Sequence, residues 1–108
     1  MLQSFEGARL GAWVAHGEGR FQLDGLDSQV QVAALFSYQE YPANPNGSEK
    51  AIAALASRDG RHLAIMPHIE RSLFPWNWPH YAPTEKQNHE VGPWIEAFTN
   101  ALEWIKRN

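Results

Sequence analysis

The feature that most constrains this chain is a pair of apolar runs separated by a tight-turn sequence. In AIAALASRDGRHLAIMPH, residues 51–68, Asp59-Gly60 lies between the two runs. Asp-Gly is among the strongest short hairpin signals, because both residues tolerate a positive φ. The pattern therefore predicts strand, turn and strand, with His68 at the exit of the second strand.

Two further segments predict strands. In SQVQVAALFSYQE, residues 28–40, alternate positions are apolar: Val30, Val32, Ala34 and Phe36. They form one face of a partly buried strand, and a helix is the less favoured alternative. The run Leu10–Ala15 predicts a buried strand that enters the Gly-rich loop HGEGR, residues 16–20.

The C-terminal segment predicts an amphipathic helix from Pro93 to Arg107. Proline is favoured at the first helical position, and Lys106 and Arg107 complement the helix dipole in the last turn. One face carries the apolar residues Trp94, Phe98, Ala101, Leu102 and Ile105. The runs VAALF and AIAALA are apolar on both faces, which is typical of strands covered by helices on two sides. With one helix to cover them, the isolated chain is expected to self-associate.

Composition excludes several classes of function. A length of 108 residues predicts one domain at most. The formal charge of −3 without a basic cluster argues against nucleic acid as a partner. No apolar stretch is long enough to span a bilayer, and no signal segment follows Met1, so a cytoplasmic location is expected. The chain has no cysteine, which excludes thiolate chemistry by its own residues.

Metal binding is not expected. The chain has five histidines, His16, His62, His68, His80 and His89. None of them pairs at the i, i+4 helical spacing or in the short pattern of a structural zinc site.

Two loops carry residues that could bind a ligand. The loop around FPWNWPHYAP exposes Trp76, Trp78 and Tyr81 to stacking on a sugar or a peptide, and packing over a core edge is the more common use of such residues. A free-standing binding module that uses this loop is therefore the alternative function. In HGEGR, the glycines let backbone N–H groups approach a carboxylate or a phosphate, although a plain tight turn has the same pattern.

His68 and Glu70 are the candidate catalytic pair. Side chains two apart on a strand point to the same side, so an imidazole and a carboxylate can meet there. A carboxylate bonded to one ring nitrogen leaves the other nitrogen free as a base. The alternative is that Glu70 pairs with Arg71 or with solvent.

Four segments occur in an order that resembles a known family: WVAHGEGRF, YPANPNGS, GRHLAIMPHIER and GPWIEAFTNALEWI. The chain is similar to the C-terminal part of the class I glutamine amidotransferase domain of the phosphoribosylformylglycinamidine synthases in their large, single-chain form. The resemblance covers nearly the whole chain. It implies an α/β fold, namely the C-terminal part of a flavodoxin-like amidotransferase domain over residues 1–108, without the half that bears the nucleophile.

The resemblance also implies residue roles. His68 and Glu70 match the base and the orienting acid of the family's Cys-His-Glu triad. His16, Gly17 and Glu18 match a segment that lines the glutamine site largely through backbone groups. Ile69 is a departure, since the family usually has proline at this position.

The implied reaction is hydrolysis of glutamine, which supplies ammonia for the ATP-dependent amination of formylglycinamide ribonucleotide in purine biosynthesis. No cofactor is implied for this chain, and ATP and Mg²⁺ belong to a synthetase domain of the parent enzyme. The implied partners are the nucleophile half and that synthetase domain. The isolated chain is expected to be inactive, because His68 has no thiolate to serve.

Overall fold

The computed structural model describes residues 1–15, 17–25, 28–78 and 89–108. The chain divides into two units, Val14–Pro67 and Met1–Trp13 with His68–Asn108. The expected α/β class, with strands followed by a C-terminal helix, is confirmed. In the described part of the chain, no helix is both long and apolar enough to cross a membrane.

The unit Val14–Pro67 is built on a three-stranded antiparallel sheet. Its strands are β1 (Val30–Leu35), β2 (Ile52–Ser57) and β3 (Leu63–Ile65), and β2 lies in the centre. The consecutive residues 51–54 are all buried. Because successive side chains of a strand point to opposite faces, both faces are covered where β2 begins.

The hairpin between β2 and β3 confirms the Asp-Gly prediction. The N–H of Gly60 donates to the carbonyl oxygen of Ser57 at 3.0 Å, and Gly60 adopts a φ of 73°. The Asp59 carboxylate accepts hydrogen bonds from the Ser57 hydroxyl at 2.6 Å and from the Arg61 N–H at 3.1 Å. The turn is therefore held by its own side chains.

The predicted alternation of β1 is wrong in part. Val32, which the alternation places on the covered face, is 50% exposed, whereas the 61% exposure of Leu35 agrees with its place on the opposite face. The pairing of β1 with β2 shifts register between Val32 and Ala34 and again between Ala34 and Leu35. Such irregularities break the two-residue period, so the alternate apolar positions do not all reach one covered face.

The predicted buried strand Leu10–Ala15 is wrong. This segment contributes a single bridge, in which Trp13 pairs with His68. Trp13 and Val14 are exposed. One isolated bridge does not form a ladder, so the segment stays irregular although its residues are apolar.

The unit Met1–Trp13 with His68–Asn108 contains the helix α1, Ile95–Arg107. The helix begins two residues later than expected, since Pro93 and Trp94 lie in the turn before it. Short 3₁₀ helices cover Gln3–Phe5, Ile69–Ser72 and Pro75–Asn77. The aromatic rings of Phe5 and Trp94 pack with centroids 5.3 Å apart.

The covered face of α1 differs from the predicted apolar face. Ala97 is fully buried, and the Asn100 side-chain amide donates to the Met1 carbonyl and to the Ser4 hydroxyl. The exposed apolar residues are Ile95, Phe98, Leu102 and Ile105. Most of the predicted apolar face is therefore open to solvent within this unit.

Candidate functional site

The backbone of His68 is fixed by a hydrogen bond to a segment far away in the sequence. Its N–H donates to the Trp13 carbonyl oxygen at 2.7 Å. His68 immediately precedes the 3₁₀ helix Ile69–Ser72. In that helix Ile69 and Ser72 are buried, whereas Glu70 and Arg71 are exposed. Positions three apart eclipse in a 3₁₀ helix, so the two buried residues fix one face and leave Glu70 on the open side.

The side chains of His68 and Glu70 are in direct contact. Nδ1 of His68 lies 2.6 Å from Oε1 of Glu70, a short hydrogen bond in which the imidazole N–H donates to the carboxylate. This bond fixes the ring tautomer and leaves Nε2 unprotonated when the ring is neutral. The pair therefore presents one free basic nitrogen, oriented by a carboxylate. Its catalytic role stays a prediction.

The reason the two side chains meet differs from the sequence argument. The alternation of a strand was expected to bring them together, but β3 ends at Ile65. The contact forms across the start of the 3₁₀ helix instead. Glu70 bonds to His68, whereas the alternative partner Arg71 only adds a favourable charge nearby.

The surroundings of Glu70 favour the ionised form of its carboxyl group. The hydrogen bond from His68 is the main reason that the pKa of Glu70 is lowered from its usual value. Partial burial is the next largest influence and raises the pKa of Glu70, whereas a backbone hydrogen bond and the charges of His68 and Arg71 add to the lowering. Glu70 therefore remains an anion, and so a hydrogen-bond acceptor, at neutral pH.

Three tryptophans support the segments next to this pair. Each donates its indole N–H to a backbone carbonyl oxygen: Trp13 to Asn77 at 2.7 Å, Trp78 to Ser72 at 2.8 Å, and Trp94 to Gly11 at 2.7 Å. Trp78 thus bonds the last residue of the helix that carries Glu70. The sequence predicted for Trp78 either stacking on a ligand or packing over a core edge, but not this hydrogen bond. The N–H of a half-buried indole usually finds a hydrogen-bond acceptor, and this need is the sequence signal that points to a hydrogen-bonding role for Trp78.

Gly92 lets Trp78 approach this helix. A Cβ at Gly92 would lie 2.7 Å from Nε1 of Trp78 and 3.0 Å from the Ser72 carbonyl oxygen. The Gly92 N–H donates to the Leu73 carbonyl oxygen at 2.6 Å. No side chain fits here without moving the indole, so glycine is required for close approach rather than for its φ.

The remaining aromatic residues give a weaker case for a stacking platform. Trp76 is 68% exposed and stacks on Phe74, with ring centroids 4.6 Å apart and planes 2° apart. Tyr81, the third residue of the predicted platform, lies outside the described residues, as does His80. Trp78 is bonded within its own unit.

The predicted glutamine-binding residues belong to the unit Val14–Pro67. His16 lies outside the described residues, while Gly17 and Glu18 form an exposed turn. The Asn46 side chain donates to the carbonyl oxygens of Gly17 and Gly19, each at 2.9 Å. No role for Asn46 was predicted from the sequence. The binding role of His16, Gly17 and Glu18 stays a prediction.

Among the described residues, no group of three or more His, Cys, Asp or Glu side chains is arranged to hold a metal ion. The expectation that this chain binds no metal or cofactor stays a prediction.

Residues 1–105 match the model of a protein family described as the CobB/CobQ-like glutamine amidotransferase domain. The chain is 40% identical to human phosphoribosylformylglycinamidine synthase and 43% identical to that of Drosophila melanogaster, with 96% and 100% of the chain covered. It spans only 9% of either relative.

A shorter relative is the phosphoribosylformylglycinamidine synthase subunit PurQ of Methanococcus maripaludis. It is 37% identical over 87% of the chain, and the match covers 42% of that subunit. No solved structure matches the chain.

Proposed function

Because the chain belongs to the glutamine amidotransferase family named above, we propose that His68 and Glu70 are the base and the orienting acid of a glutaminase site. The observation that carries the proposal is the 2.6 Å contact between His68 Nδ1 and Glu70 Oε1. A free Nε2 beside an oriented ring is what a general base needs. The relatives are phosphoribosylformylglycinamidine synthases by name, which favours ammonia supply to that synthase reaction.

The nucleophile comes from another part of the parent protein, since these 108 residues include no cysteine. A cysteine thiolate attacks the side-chain amide carbon of glutamine, and the tetrahedral intermediate collapses to a thioester. Protonated His68 gives its Nε2 proton to the departing ammonia. Neutral His68 then takes a proton from water, which attacks the thioester and releases glutamate and the thiolate.

Glu70 has an orienting role in both half-reactions. Its carboxylate accepts the Nδ1 hydrogen bond throughout and stabilises the imidazolium form of His68. It need not take a proton itself. The lowered pKa of Glu70 supports this role, because an acceptor must stay ionised at the working pH.

Gly17 and Glu18, with His16, contribute backbone groups that bind glutamine. The exposure of Gly17 and Glu18 and the absence of bulk at Gly17 support this assignment, since a substrate can reach the main chain there. A Cβ at Gly17 would meet no atom within 4 Å among the described residues.

The wider assignment follows the family. The chain is part of a larger enzyme whose synthetase portion uses ATP and Mg²⁺ to convert formylglycinamide ribonucleotide to formylglycinamidine ribonucleotide with the released ammonia. Its partners are the rest of that polypeptide or complex, and its location is cytoplasmic. The isolated chain is inactive because it cannot supply the thiolate.

The test compares two nitrogen donors in the complete enzyme. His68→Ala removes glutamine-dependent synthesis and spares ammonia-dependent synthesis, because it affects only the glutaminase site. Glu70→Gln retains the shape of the acid but not its charge, and it lowers the glutamine-dependent rate less than His68→Ala does. Equal losses with both donors would place His68 in folding or in the synthetase site.

A further inference from the structure

The side-chain amide of Asn46 bridges two carbonyls of the Gly-rich loop. Its Nδ2 donates to the Gly17 and Gly19 carbonyl oxygens at 2.9 Å each. An amide nitrogen has two N–H donors, so both are used. The reverse orientation of the amide would place its oxygen against two carbonyl oxygens, so the two acceptors determine which way the group points.

This bridge determines the direction of two backbone N–H groups, that of the residue after Gly17 and that of the residue after Gly19. In a trans peptide the N–H of one residue is antiparallel to the carbonyl of the residue before it. Since the Gly17 and Gly19 carbonyls face Asn46, the N–H groups of Glu18 and Arg20 face away from it. Within the described part of the chain, neither N–H donates a hydrogen bond. Both are available to an acceptor.

Asn46 is itself held by a rigid turn. The Asn44 side chain donates to the Ser48 carbonyl at 2.9 Å and accepts from the Ser48 N–H at 3.0 Å. Asn44 and Ser48 are each 3% exposed. A buried polar side chain with paired hydrogen bonds has little freedom, so the position of Asn46 within this turn is well defined.

The same turn also holds the chain that follows the Gly-rich loop. The Phe21 N–H donates to the Ser48 hydroxyl oxygen at 3.0 Å, and the Glu49 N–H donates to the Phe21 carbonyl at 2.9 Å. The Leu23 N–H donates to the Glu49 carboxylate at 2.9 Å. With the end of the loop fixed at residues 21–23, Asn46 sets the orientation of the exposed part.

We infer that Asn46 is a positioning residue of the glutamine site, which aligns the N–H groups of Glu18 and Arg20 as donors to an acceptor group of glutamine. The inference rests on the proposed function for the location of that site. It gives the segment NPNGS a physical role: a turn closed by Asn44 and Ser48 that presents one bridging amide. It assigns Asn46 to substrate affinity and not to the chemical step.

The test measures KM for glutamine and kcat in the complete enzyme, since turnover needs the nucleophile. Asn46→Asp retains the size of the side chain but replaces both donors with a carboxylate that repels the two carbonyls. Each lost hydrogen bond is worth a factor of about five, so KM is expected to rise about tenfold or more. The kcat stays within about twofold, and ammonia-dependent synthesis is unchanged.

Two further variants complete the design. Asn46→Ala removes the donors without adding a repulsive charge, so its KM for glutamine rises less than that of Asn46→Asp. If Asn46→Asp fails to fold, the KM of Asn46→Ala tests the positioning role. Asn100→Asp is the matched control, because Asn100 also donates to two acceptors, in the other unit. This control leaves KM for glutamine unchanged.

The outcomes separate this inference from the proposed function. An unchanged KM in both Asn46 variants, or a fall in kcat as large as the rise in KM, overturns the positioning role. An equal rise in KM for Asn100→Asp overturns it too, as a general effect of the charge. Full glutamine-dependent activity of His68→Ala, measured in parallel, would instead overturn the proposed function.

Discussion

The backbone N–H of His68 donates to the carbonyl oxygen of Trp13 at 2.7 Å, so the candidate base is anchored to a segment far away in the sequence. The indole of Trp13 bonds in turn to the Asn77 carbonyl. Trp13 thereby links His68, which precedes the 3₁₀ helix that carries Glu70, to Asn77, which follows that helix. The His68–Glu70 contact depends on this framework as well as on the two-residue spacing.

Gly92→Ala should destabilise this framework. The added Cβ would lie 2.7 Å from Nε1 of Trp78 and 3.0 Å from the Ser72 carbonyl, so the indole must move and its hydrogen bond is strained. Overpacking of this kind costs about 1–3 kcal/mol. Urea unfolding followed by tryptophan fluorescence measures the loss.

Gly11→Ala is the matched control for that experiment. Its Cβ would meet the same indole at 3.7 Å, an ordinary contact distance. We expect a change in the free energy of unfolding well below that of Gly92→Ala. Equal effects of the two substitutions would contradict the role of Gly92 in close approach.

The purified 108-residue chain should release no ammonia from glutamine above the uncatalysed rate. A base and its orienting acid accelerate nothing without a nucleophile, and the chain has no cysteine. Coupled detection of ammonia gives the rate, with His68→Ala as the comparison. Activity that disappears in His68→Ala would mean that another residue of this chain acts as the nucleophile.

The β2–β3 turn should loosen at low pH. Hydrogen bonds from the Ser57 hydroxyl and the Arg61 N–H hold the pKa of Asp59 below its ordinary value of 3.8. A lowered pKa in the folded state means that the stabilisation is present above the unfolded value and is lost as the pH falls through the folded one. The amide resonances of Gly60 and Arg61, followed by NMR from pH 6 to about pH 2, report this loss.

Asp59→Asn provides the control for the titration. The amide can still accept hydrogen bonds but does not ionise in this range. We expect the pH-dependent shift of the Gly60 and Arg61 resonances to disappear in this variant. Its persistence would assign the transition to another carboxyl group.

The isolated chain should self-associate and bind a hydrophobic dye through α1. Leu102 is 51% exposed and Ile105 is 66% exposed, on the same face as Phe98. Apolar area open to water favours association. Light scattering at micromolar concentration and dye fluorescence measure both effects, and we expect Leu102→Lys with Ile105→Lys to lower the dye signal, because the pair removes exposed apolar area.

Thr99→Lys adds a like charge beside this apolar face and should leave the dye signal near that of the unmodified chain. A stable, dye-silent monomer with a cooperative thermal transition would contradict the prediction. In that case the 108 residues complete their own core.

Sequence alone determined the features that depend on near neighbours. The Asp59-Gly60 turn, the helix after Pro93 and the two-residue spacing of His68 and Glu70 all rest on residues a few positions apart. Turn geometry, the 3.6-residue period and short side-chain reach are local physics, so a single sequence carries them. The ionised state of Glu70 follows from the same short-range contact.

Tertiary structure alone decided the features that join distant segments. This class has four members: the irregular path of Leu10–Ala15, the exposed face of α1, the fit of Gly92 on Trp78, and the bridge from Asn46 to Gly17 and Gly19. An apolar pattern states that a face can be buried, but not which partner covers it. The partner is selected by packing and by hydrogen bonds between residues far apart in the chain, which local propensity does not encode.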